Sequence, residues 1–318
     1  MNLKKLITLP LIYAFSYTSL ADTVDNASSD IDTFEKLFGI TEGKRRNHTK
    51  GFCFEATLTP KNKDIQQYST SKLFSQSSKV IGRFSHKGGK NLAADNKPGE
   101  YGMGLSIKTA DNETHLMSMN TLDFFPVSTP EAFAELMQAK VSGSKAVKEF
   151  KKNNTDLQRF KAHNAKKTKI LIPYEGQTYN SINSFYLVND KALKTAVRWS
   201  FVPQDNEKIV VTPSQDFFFD NLNKKLTNKV VSWDMVITLA NPEDEINNAA
   251  IPWQGNHKQI IAAELTINNI QTEVEGKCDL INYDPMVLSA GFEPSADPLL
   301  QARRNAYSVA FGRRLSEK

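Results

Sequence analysis

The chain has 318 residues, of which 40% are hydrophobic and 24% are charged, and its formal net charge is +5. This composition supports a substantial core, excludes a chain dominated by low-complexity disorder, and gives no electrostatic indication of nucleic-acid binding. The two cysteines, Cys53 and Cys278, are too few for a cysteine-ligated zinc site, and they leave one disulfide and two buried free thiols as open alternatives.

The first 21 residues have the pattern of a secretory signal peptide. Lys4 and Lys5 form a positive start, residues 6–15 are apolar, and Ser19-Leu20-Ala21 is a small-x-small cleavage sequence. We predict cleavage after Ala21 and export to the periplasm of a Gram-negative bacterium, which leaves 38 basic and 35 acidic residues in the mature chain. The alternative is an uncleaved membrane anchor, although the apolar segment is short for a span. No later segment is long and apolar enough to span a bilayer, so the mature protein is expected to lie outside the membrane.

A polar leader is expected to precede one large domain. Residues 22–42 are predicted to form this leader, with disorder over residues 22–32 and a short helix over residues 33–37. The domain is predicted to cover residues 43–318. Its first strands are predicted from β-prone runs with partial alternation at residues 52–60, 79–85, 101–108 and 113–120.

Helices are predicted to separate this first block of strands from a second. Thr129 is a candidate N-cap with Pro130 in the first turn, and helical character continues to about residue 165. The second block is predicted at residues 179–188, 196–202, 230–239 and 260–267, with a helix around Leu222. Two blocks of strands separated by helices indicate an α+β fold around an antiparallel sheet or barrel.

A final amphipathic helix is predicted over residues 297–315, with Asp297 as N-cap and Pro298 in its first turn. Arg303 and Tyr307 are four residues apart and therefore share one face of this helix. A guanidinium beside a phenol favours the phenolate, and a phenolate in an apolar pocket is a hard anionic ligand suited to ferric iron. The alternative is a helix that merely packs these side chains onto the barrel.

His48 is the candidate acid–base residue. It lies in a basic loop beside Arg45, Arg46 and Lys50. Nearby cations should lower its pKa and keep the imidazole neutral, so that it can act as a base. The alternative is a loop histidine without a catalytic role.

Two polar residues at strand ends are candidates to assist it. Asn120 can either cap a turn or donate a hydrogen bond to a bound small molecule. The hydroxyl of Ser85 is a candidate to orient His48.

Several of these segments, taken in order, resemble the haem catalases. The resemblance covers residues 43–315 and is closest to the short, often exported catalase-related peroxidases. The matching segments are Arg45-x-x-His48-x-Lys50-Gly51, Arg83-Phe84-Ser85, residues 102–108, Met119-Asn120-Thr121 with Phe124-Phe125, residues 179–189 and 197–201, Asp284-Pro285, residues 291–297, and Gln301-x-Arg303-x-x-x-Tyr307 with Arg314.

This resemblance implies an antiparallel β-barrel of the haem catalase type, with surrounding helices and a C-terminal proximal helix. It implies haem b as cofactor, with Tyr307 as the iron ligand, held anionic by Arg303. His48 would transfer the proton, Asn120 would orient the peroxide, and Ser85 would support His48. Arg45 and Arg314 would pair with the haem propionates. The residues expected to bind the cofactor are Arg45, Arg83, Phe125, Arg303 and Arg314.

The implied reaction is reduction of hydrogen peroxide, or of small organic peroxides, by a small organic electron donor, with weak catalase activity and a role in antioxidant defence. A monomer or small homo-oligomer is expected. Departures from full catalases count against efficient disproportionation: Thr49, Met119, Leu122-Asp123 and the absence of Pro-Asp after Tyr307. The alternatives are a monofunctional catalase, an organic-hydroperoxide isomerase and a non-enzymatic exported haem-binding barrel.

Overall fold

A closed antiparallel β-barrel forms the centre of the fold. The computed structural model describes residues 20–167, 169–205 and 213–318. Its strands are β1 Gly51–Pro60, β2 Ser78–His86, β3 Tyr101–Lys108, β4 Thr114–Asn120, β5 Tyr179–Asn180, β6 Phe185–Val188, β7 Lys194–Pro203, β8 Ser232–Leu239, β9 Gln259–Gln271 and β10 Phe292–Pro294. Eight strands close a ring in the order β7-β5-β4-β3-β2-β1-β9-β8, because β8 pairs with β7, while β6 and β10 extend from β7. The predicted antiparallel barrel is confirmed.

Six α-helices occur among the described residues. They are α1 Leu20–Phe38, α2 Pro130–Ser142, α3 Ser144–Asn153, α4 Thr155–Ala165, α5 Phe218–Leu226 and α6 Pro298–Ser316. Thr129 caps α2 as predicted, since its hydroxyl accepts a hydrogen bond from the Ala132 amide. The helical region up to residue 165 is divided into three helices, because Gly143 has a φ of +100° and Asn154 is extended.

The prediction of a disordered leader over residues 22–32 was wrong. This segment belongs to α1, which also contains the short helix predicted at residues 33–37. Ala27 and Ile31 are buried, and the ring of Phe34 packs near Phe133 of α2. The helix is therefore stabilised by tertiary packing, which its polar composition concealed.

The predicted signal peptide lies largely outside the described residues, which begin at residue 20. Cleavage and export therefore stay predictions. Within the described ranges, no helix is long and apolar enough to cross a membrane.

Aromatic side chains fill the barrel interior. Phe54 and Phe84 are fully buried, with ring centroids 4.4 Å apart. Gly82 is the cross-strand neighbour of Phe54 and makes room for its ring, because a Cβ at this position would lie 2.0 Å from Phe54 Cζ. Burying each such ring contributes about 1.5–3 kcal/mol. Because side chains alternate along a strand, Gly102 and Gly104 face the outside of the barrel, between the core residues of β3.

The strand predicted at residues 179–188 is interrupted. β5 and β6 are separated by residues 181–184, in which Ile182 has a φ of +66°. This left-handed conformation is uncommon for a β-branched residue. The turn brings Asn183 to the cap of α6, where its amide donates a hydrogen bond to Asp297 at 2.9 Å.

A disulfide joins Cys53 on β1 to Cys278, so the alternative of two free thiols is wrong. The two Cα atoms are 5.4 Å apart, and the cysteines are separated by 225 residues in the chain. Cys278 lies in a short 3₁₀ turn, Lys277–Leu280, which the bond ties to the barrel. Both cysteines are buried.

Removal of this bond with C53S and C278S together is expected to lower the free energy of unfolding by about 5 kcal/mol, because a long loop loses much conformational entropy when it is closed. Chemical denaturation without reductant measures the change. Reduced wild-type protein is the control and should behave like the double variant. Superimposable curves for the variant and the oxidised wild type would contradict the prediction.

Candidate functional site

A cavity of about 320 Å³ lies against the outer face of β3 and β4, bordered by α1 and α6. All nine residues singled out from the sequence line it: Arg45, His48, Arg83, Ser85, Asn120, Phe125, Arg303, Tyr307 and Arg314. The structure therefore brings together residues spread over 270 positions of the chain, from 45 to 314.

His48 occupies a tightly determined position on the cavity wall. Its φ is +58°, and its backbone amide donates to the side-chain oxygen of Asn47 at 3.0 Å. Its Nδ1 lies 3.0 Å from the hydroxyl oxygen of Ser85. Gly102 makes this pair possible, because a Cβ there would lie 2.9 Å from His48 Nδ1 and 3.0 Å from Ser85 Oγ. A left-handed non-glycine residue is kept only where its surroundings hold it, as they do here.

Burial inside the cavity lowers the pKa of His48 to about 3, with smaller contributions from cationic neighbours such as Arg83 and Arg45. The direction agrees with the sequence-based expectation, but the main cause differs. Two cations expected to act on His48 are held elsewhere: Arg46 binds Glu35 and Glu317, and Lys50 binds Asp95 and Asp216. The imidazole is therefore neutral because it is desolvated.

The hydrogen bonds of Ser85 select the tautomer of His48. The Ser85 hydroxyl donates to the carbonyl oxygen of Gly102 at 3.4 Å, so its lone pair is free to accept the proton of Nδ1. Assigned in this way, His48 carries its proton on Nδ1 and leaves Nε2 as the basic nitrogen.

Asn120 stands at the end of β4, opposite Gly102 in the strand register. Its side-chain oxygen accepts a hydrogen bond from the Leu122 amide at 2.9 Å. The expected turn cap is therefore present, while donation from the NH₂ group of Asn120 to a cavity ligand stays a prediction.

Tyr307 and Arg303 contact each other on α6. The guanidinium of Arg303 donates to the phenol oxygen of Tyr307 at 3.0 Å and to the side-chain oxygen of Asn183 at 2.9 Å. The same phenol oxygen lies 2.6 Å from the hydroxyl of Ser118 on β4. Asp297 caps the helix as predicted, since its carboxylate accepts from the Leu299 amide. The phenol oxygen is therefore held by polar partners at the cavity wall.

Three guanidiniums gather at one edge of the cavity around two carboxylates. Arg45 binds Glu273 and Asp279 at 3.3 and 3.2 Å, Arg83 binds Glu273 at 2.5 Å, and Arg314 binds Asp279 at 2.6 Å. Burial, together with Arg83 and Arg314, lowers the pKa of Arg45 to about 9. A cationic excess of this kind favours an additional anionic group.

Another wall of the cavity is aromatic. Phe125 lies with its ring centroid 5.3 Å from that of Phe133, and Phe34 of α1 adjoins Phe133 at 5.9 Å. Phe125 is also tied through its backbone amide to the carbonyl oxygen of Ala249. An apolar wall together with a cationic edge suits a large planar ligand with acidic substituents.

Several residues of the site were missed in the sequence. Ser118, Asn183 and Tyr283 line the cavity, as do Asp30 and Ile31 of α1. Burial and the nearby charge of Glu131 raise the pKa of Asp30. The serine and asparagine lay within segments recognised as strands, but their partners on α6 are 189 and 120 residues away. No local signal identifies such contacts.

The donor set fits a haem better than a directly bound ion. Among the residues described, no group of three His, Cys, Asp or Glu side chains is placed to hold a metal. The cavity instead offers one phenol beside a guanidinium, an imidazole, an apolar wall and a cationic edge. These are the contacts required by an iron with one axial anionic ligand and a macrocycle that carries carboxylates.

Known proteins of similar sequence match this chain over most of its length. The family model described as Catalase matches residues 30–318. A catalase-related peroxidase of Synechococcus elongatus is 33% identical over 305 residues, covering 89% of this chain and 87% of that protein. A catalase-related peroxidase of Mycolicibacterium paratuberculosis is 26% identical, covering 88% and 92%.

The fold is similar to that of a solved catalase. A solved bacterial catalase superimposes with a TM-score of 0.72 at 17% identity, covering 86% of this chain and 57% of that one. At this identity the likeness concerns the fold, and the shared family rests on the sequence matches. The chain belongs to the catalase family.

Proposed function

We propose that this protein is a haem b peroxidase that reduces hydrogen peroxide, or a small organic peroxide, with electrons from an organic donor, and that it has weak catalase activity. One observation carries the proposal: a neutral imidazole, His48, and a phenol held by a guanidinium, Tyr307 with Arg303, line the same cavity. The names of its relatives and the catalase family support the same reaction class.

The cofactor would be held at three places. Tyr307 would supply the oxygen that binds the iron, and Arg303 would hold that oxygen in place by donating a hydrogen bond to it. Arg45, Arg83 and Arg314 would hold the propionates, a task suited to planar guanidiniums. Phe125 would contact the apolar part of the ring. When bound, haem supplies the iron centre at which the peroxide bond is reduced.

The remaining residues transfer the proton and orient the peroxide. The basic Nε2 of His48 takes a proton from one peroxide oxygen and returns it to the other, which leaves as water. Ser85 keeps the imidazole in the required tautomer through Nδ1. The NH₂ group of Asn120 donates a hydrogen bond that orients the peroxide.

The pH dependence of the first reaction with peroxide is expected to follow His48. Because its pKa lies near 3, the base stays unprotonated down to about pH 4, and the rate should be constant between pH 8 and pH 4. Below that range, protonation removes the lone pair and the rate falls. Stopped-flow mixing with brief pH jumps measures this profile. An inflection near the ordinary histidine pKa of about 6.5 would contradict it.

The test of function is reconstitution with haem b, a visible spectrum, and addition of peroxide with and without a phenolic dye. Dye oxidation that exceeds oxygen evolution is expected. Oxygen evolution that predominates would establish a monofunctional catalase instead. Rearrangement of a fatty-acid hydroperoxide without a donor would establish an isomerase, and bound haem without peroxide consumption would establish a carrier.

We also propose export, with residues 1–21 removed as a signal peptide. Disulfides persist in oxidising compartments, and the bond between Cys53 and Cys278 supports such a destination. Periplasmic fractionation of the source bacterium and sequencing of the mature N-terminus would test this. An N-terminus other than Asp22 would overturn the predicted cleavage site.

A further inference from the structure

A second cavity, of about 270 Å³, lies on the other side of the barrel wall. It shares no lining residue with the first cavity. Gly51, which lines the second cavity, is the cross-strand partner of Ser85, which lines the first. The two cavities therefore have neighbouring lining residues on β1 and β2. Aromatic side chains form much of the lining of the second cavity: Phe52, Tyr174, Phe217, Phe218 and Phe219.

Tyr174 has an unusual hydrogen-bond partner. Its buried hydroxyl is bonded to Nδ1 of His86, and Nε2 of that imidazole lies 3.3 Å from a carboxylate oxygen of Asp95. Nε2 has no hydrogen-bond partner among the described residues. The second oxygen of Asp95 is fixed by the backbone amides of Phe217 and Phe218. A phenol, an imidazole and a carboxylate thus lie next to one another, and the first and the last of them line the second cavity.

The tautomer is assigned from the contact with Tyr174. If Nδ1 of His86 accepts the hydroxyl proton of Tyr174, the ring proton stands on Nε2, which lies 3.3 Å from the Asp95 carboxylate without forming a hydrogen bond to it. Burial lowers the pKa of His86 to about 4, so the imidazole is neutral and able to receive a proton. The charge of Asp95, whose Oδ1 also binds Lys50 at 2.8 Å, would favour the imidazolium that results.

The other buried tyrosines lack such a base. The hydroxyl of Tyr179 donates to the carbonyl oxygen of Tyr174, that of Tyr101 to Lys97, and that of Tyr283 to Ile81. A carbonyl oxygen cannot take up the phenol proton at ordinary pH. Among these residues Tyr174 alone can lose an electron and a proton together, which avoids leaving a charged phenol radical in the core.

We propose that Tyr174 is a redox-active tyrosine that passes electrons from a small phenolic reductant, bound in the second cavity, to the peroxide-oxidised cofactor in the first. This rests on the proposed peroxidase function, which supplies the oxidant. Tyr174 stacks on Phe84 at 5.3 Å, and Phe84 directly precedes Ser85 on β2. The reductant would stack against the aromatic lining of the second cavity.

Every electron transfer in this relay is accompanied by a proton transfer. Tyr174 gives one electron to the oxidised cofactor while its hydroxyl proton moves to Nδ1 of His86. The bound phenol then gives one electron to Tyr174, and the proton returns from His86 to the Tyr174 oxygen. The proton of the reductant leaves by way of Asp216, whose exposed carboxylate lines the second cavity. Two such rounds supply the two electrons that reduce one peroxide and release two phenoxyl radicals.

The relay is tested by rapid-freeze electron paramagnetic resonance after haem-loaded protein is mixed with one equivalent of peroxide and no reductant. A tyrosyl signal is expected in the wild type, lost in Tyr174→Phe and retained in Tyr179→Phe, which also removes one buried hydroxyl from the barrel. The optical change on first reaction with peroxide should be equally fast in all three proteins. A tyrosyl signal that persists in Tyr174→Phe would overturn the proposal.

The reductant cavity is tested without the cofactor. Fluorine NMR of 4-fluorophenol added to cofactor-free protein is expected to show binding, weakened in Phe219→Ala and unchanged in Phe125→Ala, which alters the first cavity. Equal binding to the wild type and Phe219→Ala would overturn the second cavity as the site. If the haem-loaded wild type does not react with peroxide, the peroxidase function fails, while the fluorophenol result still decides the cavity.

Discussion

Replacing His48 by glutamine is expected to slow the first reaction with peroxide by about 10²–10⁴-fold, the range typical for loss of a positioned general base. Glutamine keeps a polar side chain of similar reach, but it has no basic nitrogen at ordinary pH. Cofactor binding should persist, because the residues assigned to it lie on α6, at the cationic edge and on the aromatic wall. The loss is therefore expected in the rate of the chemical step rather than in occupancy.

Stopped-flow spectroscopy of the haem-loaded variant measures this rate. His115→Gln is the matched control, since His115 is a buried barrel histidine that does not line the first cavity. Ser85→Ala should show a smaller loss than His48→Gln, because it removes only the group that orients the ring. A normal rate in His48→Gln would exclude His48 as the base.

Replacing Tyr307 by phenylalanine is expected to reduce haem affinity by more than about 100-fold, since loss of a mere partner of a metal ligand costs about 10–100-fold. The ring and its packing on α6 are kept, and only the oxygen is removed. That oxygen is the atom that Arg303 and Ser118 hold at the cavity wall. Haem titration of the cofactor-free protein, followed in the Soret band, measures the loss.

Tyr283→Phe provides the comparison for this experiment. Tyr283 lines the same cavity, but its hydroxyl donates to the carbonyl oxygen of Ile81, on the barrel. Its removal should leave the Soret band and the affinity close to those of the wild type. An unchanged spectrum in Tyr307→Phe would refute the assignment of the axial ligand.

Local patterns predicted much of the fold. Alternation located most strands to within a few residues, and Thr129 and Asp297 cap the helices they were expected to cap. Only residues 33–37 of α1 were predicted as helix, because the stability of α1 comes from packing on other helices rather than from its own composition. Propensity and periodicity describe a segment in isolation, and tertiary contacts override them.

The candidate site was likewise predicted only in part. His48 and Tyr307 were candidates from their own short segments, and the resemblance of several ordered segments to haem catalases assigned their roles and those of their partners Ser85 and Arg303. Partners outside these motifs could not be predicted, since Asn183 reaches Arg303 across 120 residues and Asp279 reaches Arg45 across 234. The disulfide was undecided for the same reason, since the cysteine count gives no distance between Cys53 and Cys278.

The bond between Cys53 and Cys278 closes a covalent ring around β1 to β9, whereas α1 and α6 both lie outside it. These two helices are joined to each other by ion pairs, such as Arg313 with Asp32 at 2.7 Å, and both border the first cavity. The covalent ring therefore constrains the barrel strands, whereas α1 and α6 are held against each other by non-covalent contacts alone.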